Sequence, residues 1–190
     1  MMALTSMGSF SDAHETREIP IIAASLQRLI LPRQSQVWAV LRREDSLVRL
    51  VYSLAATFLG RMCISGDLHD LDADQWALTK SAMELYQIAA PIIRDGHSIF
   101  HGEVGKSWRH AEGWQAVIRS RGHLALVVAH TFGGSLPASV PVLLPENHAW
   151  KIQEVWPDAE GLGLSIQGSE LQIRLTGAHR AAVAILQRER

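Results

Sequence analysis

The hydrophobic period of the chain changes near its midpoint, and that change limits the folds open to it. Up to about Asp95, helical segments alternate with short apolar runs; beyond about Gly105, short β-rich runs are separated only by turn residues. A helix repeats its faces every 3.6 residues and a strand every two, so the halves require different layers. The first half reads as βα units on a parallel sheet, the second as an antiparallel sandwich.

Spacing predicts three helices in the first half. Residues 20–31 carry Ile22, Leu26 and Leu29 four and three apart, with Pro20 suited to a first turn. Residues 45–59 align Leu47, Leu50, Leu54 and Phe58, with Asp45 or Ser46 as cap and Gly60 at the end. Residues 72–90 pair Asp72 with Gln75 as a capping box, align Leu78, Ala82, Leu85 and Ala89, and stop ahead of Pro91. Strands are expected over 34–41 and 61–64. In the second half they are expected over 114–120, 124–131, 142–144, 151–156, 162–167, 171–175 and 181–187. The halves divide as residues 1–97 and 98–190.

Composition excludes several roles. Eighteen Lys and Arg against 19 Asp and Glu give a net charge of -1, with no basic excess for a nucleic-acid partner. No apolar run reaches the roughly 18–20 residues of a membrane span, and the first ten residues lack the pattern of a signal peptide. Cys63 is the single cysteine, so no intrachain disulfide forms, which fits a reducing, cytoplasmic setting. His97 and His101 stand four apart, but in a strand-like or loop context without a third ligand, so they read as surface histidines and no metal is expected. Gly161 and Gly163 read as a turn, not a dinucleotide fingerprint, and no cofactor is expected.

The segment Ser9-Phe10-Ser11-Asp12-Ala13-His14-Glu15 gathers polar and ionisable groups just ahead of the first helix. At the carboxyl end of a parallel strand, such a loop is where barrel active sites are built. Asp12, His14 and Glu15 are therefore acid–base candidates, and a helix-entry loop favouring acids is the plainer alternative. Ser11, Asp12 and His14 lie too close in sequence for a hydrolytic triad, and the nucleophile elbow is absent. Six tryptophans are present. Those of the second half, Trp108, Trp114, Trp150 and Trp156, are expected mostly in the core. Trp38, in the second strand, is expected at a sugar-facing position.

Three stretches together resemble the α-galactosidases of glycoside hydrolase family 36. The segment from Ser9 to Glu15 is similar to the family's Trp-Thr-Ser-Asp segment after the sixth barrel strand. Leu31-Pro32-Arg33-Gln34-Ser35-Gln36-Val37-Trp38 takes the place of the seventh strand, and Phe58-Leu59-Gly60-Arg61-Met62-Cys63-Ile64-Ser65-Gly66-Asp67-Leu68 that of the eighth. The resemblance implies an α/β plus all-β fold: the C-terminal βα units of an incomplete (β/α)8 TIM barrel followed by an antiparallel β-sandwich. It implies a retaining hydrolase of terminal α-galactosides with Asp12 as general acid/base, and Ser11 and Trp38 against the substrate. The family's Lys-x-Asp-x-Asn nucleophile segment and the Gly-rich loop after its fifth strand are absent, and Ser9 and Phe10 stand where it has Trp and Thr. Of Glu15, Glu18 and Asp67, Asp67 is the best placed substitute nucleophile. Three strands cannot close a barrel, so self-association or a separate N-terminal portion is expected, and the isolated chain is expected to be inactive. The alternative is a non-catalytic sandwich module for assembly or carbohydrate binding.

Overall fold

The computed structural model describes residues 6–9, 16–145, 148–158 and 161–189. The first half alternates strand and helix: β1 (Gly8–Ser9), α1 (Ile19–Leu26), β2 (Ser35–Leu41), α2 (Leu47–Thr57), β3 (Arg61–Gly66) and α3 (Ala73–Asp95). The second half is all strand: β4 (His97–His101), β5 (Val104–Gly105), β6 (Glu112–Arg121), β7 (Leu124–Thr131), β8 (Val140–Leu143), β9 (Trp150–Trp156), β10 (Gly163–Gln167), β11 (Glu170–Arg174) and β12 (Ala181–Arg188).

β1, β2 and β3 form a parallel sheet in that order, with Trp38 opposite Cys63 and Ser9 opposite Gln36. The described residues form no closed barrel. β4, β6, β7, β12 and β9 make an antiparallel sheet, with β5 beside β6, and β10, β11 and β8 make a second one. The large sheet alternates its side chains between two cores. Val117, Leu126, Val128, Val183 and Ile185 pack toward the helices, while Ala116, Ile118, Ala125, Val127, Ala129, Ala182, Ala184 and Leu186 pack toward the small sheet. With both faces covered, β7 runs almost wholly apolar, as a doubly buried strand must.

The helical core takes in Val37 and Ala39 of β2 together with Val183 and Ile185 of β12, so one core crosses both halves. α2 lies between the parallel sheet and the large sheet, which buries Tyr52, Ser53, Leu54, Ala55, Ala56 and Thr57 in succession. Ser46 caps α2 by accepting from the Arg49 amide, and Asp72 and Gln75 form both bonds of the capping box on α3.

Three local expectations are corrected. α1 ends at Leu26 and buries Ile19, Pro20, Ile21, Ala23 and Ala24, leaving Leu29 84 % exposed. Its sequence is apolar all round, so its neighbours choose the buried face. Leu47 does not share the buried face of Leu50 and Leu54; it is 46 % exposed. α3 does not stop before Pro91 but runs through it to Asp95. Pro91 sits on the exposed side, where water can satisfy the carbonyl it leaves without a donor, and burial of Ile92 and Ile93 just beyond favours continuing the helix.

Candidate functional site

Alternation along β2 turns Val37, Ala39 and Leu41 into the helical core and so turns Gln36, Trp38 and Val40 to the opposite face. On β3, Met62 and Ile64 pack on that core, which places Arg61, Cys63 and Ser65 beside them across the register. No described helix or strand covers this second face. In a parallel sheet such a face is ordinarily buried.

Trp38 lies on the second strand, as the sequence places it, and its side chain is on this face. Its indole Nε1 donates to Ser9 Oγ at 3.0 Å, and the Gln36 amide lies 3.9 Å from Met7 Sδ. These contacts hold the short β1 against β2 immediately ahead of residues 10–15. Ser11 and Asp12, with His14 and Glu15, fall within that stretch, outside the described residues. On its far side, Arg49 Nη2 donates to Thr16 Oγ1 at 2.9 Å and Tyr52 Oη donates to the Arg17 carbonyl at 3.0 Å. The stretch is thus fastened at both ends. Arg49 and Tyr52 were not singled out from the sequence; their spacing of three on one helix face is the signal that could have found them.

Tyr52 is backed by two imidazoles. The His130 ring meets it edge-on at 5.0 Å and the His179 ring at 5.9 Å. His130 Nε2 lies 3.3 Å from the Tyr52 carbonyl, which fixes the tautomer with Nε2 as donor, and its buried Nδ1 has no partner. Burial pushes the His130 pKa down to about 3, and pushes the Tyr52 hydroxyl well above its ordinary range, the Arg17 charge opposing weakly. Both rings therefore stay neutral at neutral pH. Burial also raises the Cys63 thiol, with Arg61 pulling it back, so Cys63 is no activated nucleophile. Asp67 sits at the carboxyl end of β3, its amide donating to the Leu41 carbonyl at 2.8 Å. Glu18 is buried at the start of α1.

Most sandwich tryptophans are structural. Trp150 and Trp156 are buried and donate to the Pro145 carbonyl and Ser81 Oγ, while Trp108 lies on the surface under the Arg109 guanidinium. His97 and His101 fall on β4, His97 exposed and His101 partly buried. Among the described residues, no group of three or more His, Cys, Asp or Glu could hold a metal. No described helix is long and apolar enough to cross a membrane. A separate groove of about 680 Å³ opens between α2, α3, residues 157–158 and 161–162 after β9, and the turn that joins β11 to β12.

No family model and no curated protein matches the chain. Solved structures do share its fold. The galactosidase domain of the α-galactosidase–sucrose kinase AgaSK superposes with a TM-score of 0.65 at 12% identity, covering 94% of this chain and 25% of that one. A GH36 α-galactosidase, AgaA of Geobacillus stearothermophilus, crystallised with raffinose, gives 0.65 at 13% identity over 92% of this chain and 25% of its own. The α-galactosidase of Lactobacillus brevis gives 0.66 at 11% identity over 94% and 26%. The chain thus spans about a quarter of the length of these proteins, their C-terminal quarter. The resemblance read from its residues holds at the level of fold.

Proposed function

We propose that this chain supplies the acid/base side of a retaining α-galactosidase-type catalytic unit. In this reading β1, β2 and β3 are the last strands of a (β/α)8 barrel, their uncovered face is its interior, and residues 98–190 are the C-terminal sandwich domain. The Trp38–Ser9 hydrogen bond carries the proposal. It joins the expected sugar-facing tryptophan to the strand that leads directly into Ser11 and Asp12.

A retaining glycosidase needs two carboxyl groups about 5–5.5 Å apart. Asp12 is the group that protonates the leaving oxygen and then takes a proton from the attacking water. To be protonated when substrate arrives, its pKa must stand above the ordinary carboxylate range, which burial or a second carboxylate beside it would achieve. Ser11 and Trp38 would hold the galactose, Trp38 offering its ring face. The nucleophile comes from a Lys-x-Asp-x-Asn segment outside this sequence, on a polypeptide that completes the barrel. The substrate is a terminal α-galactoside.

The chain alone should show no hydrolysis, because one carboxylate cannot perform double displacement. In the completed catalytic unit, Asp12→Ala should slow raffinose hydrolysis by about 10²–10⁴-fold. An aryl galactoside with an acidic leaving group, which needs no proton, should suffer less. An unchanged raffinose rate would remove Asp12 from the reaction. Galactose binding that depends on Trp108 and ignores Asp12 would instead favour a carbohydrate-binding module.

A further inference from the structure

The groove beside α2 and α3 lies in a different part of the molecule from the uncovered sheet face. Its floor is aliphatic, with Val48 and Val51 of α2, Leu78 of α3, and Leu162 ahead of β10. Val48 is 42 % exposed. The cavity is within the roughly 300–1,000 Å³ of small-molecule sites, and it lies where two layers meet. No described lining residue is aromatic. The groove therefore lacks the flat platform that sugars stack on, and its branched aliphatic lining suits a flexible methylene chain.

The rim adds charge. Arg174, at the end of β11, and Arg180, ahead of β12, bracket Leu175 and Thr176. Arg180 Nε donates to the Thr176 carbonyl at 3.2 Å. The Arg174 guanidinium carbon lies 3.5 Å from where a Cβ on Gly163 would stand, an ordinary packing distance, so the guanidinium lies along the start of β10. Asp74 and Asp158 share the rim, and among the described residues no salt bridge joins either of them to these arginines. Among the described residues these two guanidinium groups have no carboxylate ion pair, and beside an apolar trough they can donate to an anionic head.

We propose that this groove binds an amphipathic monocarboxylate, with its aliphatic chain over Val48, Val51 and Leu78 and its carboxylate between Arg174 and Arg180. The proposal is independent of the glycosidase reading. Calorimetric titration of the full chain with decanoate, below its micelle concentration, should give saturable one-to-one binding. Arg174→Ala combined with Arg180→Ala should weaken decanoate by about tenfold or more and leave 1-decanol unchanged. Leu78→Trp, which fills the trough, should abolish both, and thermal melting of each variant shows whether it is folded. The proposal is overturned if binding does not saturate, if the double variant holds decanoate as tightly as the parent, or if galactose displaces it.

Discussion

Arg119 shows how much of this molecule rests on single residues. It is 2 % exposed and has no carboxylate partner among the described residues. Nε donates to Ser98 Oγ at 2.9 Å, Nη1 to the Ile93 carbonyl at 2.8 Å and Nη2 to Gln27 Oε1 at 2.6 Å. The Ile93 carbonyl lies in the last turn of α3, where carbonyls lack helical partners and a positive charge is favoured. One guanidinium thus joins α1, α3, β4 and β6. Burial lowers its pKa to about 10, the Tyr86 hydroxyl opposing, so it stays charged at neutral pH. Arg119→Leu takes the donor from the buried Ile93 carbonyl and from two part-buried acceptors, and should cost about 2–4 kcal/mol, read from urea unfolding; no loss would show that water replaces the guanidinium. His130 gives a pH signature. Its folded pKa, about 3 against an ordinary 6.5, is depressed. The unfolded chain therefore binds the extra proton between those values, and the contribution is complete above pH 6.5 and lost as pH falls toward 3. The urea midpoint should drop from pH 7 to pH 5, and His130→Leu should flatten that drop. Equal slopes in both proteins would assign the acid sensitivity elsewhere. Neither role was visible in the sequence, because the isolation of Arg119 and His130 depends on what packs around them.

At the scale of elements, the strong local signals were the legible ones. The capping box of α3 joins Asp72 and Gln75, three residues apart, so its chemistry is contained in four positions. The seven strands expected in the second half all formed, since alternation and turn residues are also local. Boundaries decided by burial were not legible, as the run of α3 through Pro91 and the exposed Leu29 show. Gly60 belongs between these cases. It follows α2, as expected of an end residue, but its surroundings give a different reason for it. A Cβ there would stand 2.5 Å from the Ser35 carbonyl oxygen and 2.9 Å from Val37 Cγ2. Glycine is needed so that the entry to β3 can approach β2. Gly60→Ala should therefore lower stability by about 1–3 kcal/mol, measured by thermal melting, through strain between the parallel strands. A stability unchanged from the parent would mean that the strands separate at no cost.

At the scale of the whole molecule, the two main sheets are covered differently. Among the described residues, the large sheet is covered on both faces and the parallel sheet on one. The start of the free edge of β3 is sealed by α3: the Met62 amide donates to Tyr86 Oη at 3.1 Å, and Tyr86 Oη donates to the Gly60 carbonyl at 2.9 Å. Beyond it, β3 pairs with β2 alone among the described strands. Val40 on the uncovered face and Trp76 and Met83 on α3 are exposed. Such an edge and such patches favour association. Light scattering should therefore give a mass above 21.0 kDa, and Val40→Lys should shift it toward the monomer; a monodisperse parent of 21.0 kDa would show that the open face is stable in water. The residues alone determined the two periods, the helix caps, the strand series and the position of Trp38, because each depends on neighbours within a few positions in the chain. Only tertiary structure decided which faces are covered, that one core crosses both halves, that Ser9 meets Trp38, and that Arg49 and Tyr52 hold the far end of the Asp12 stretch. Those contacts join residues about 30 or more positions apart, and chain-local periodicity carries no record of them.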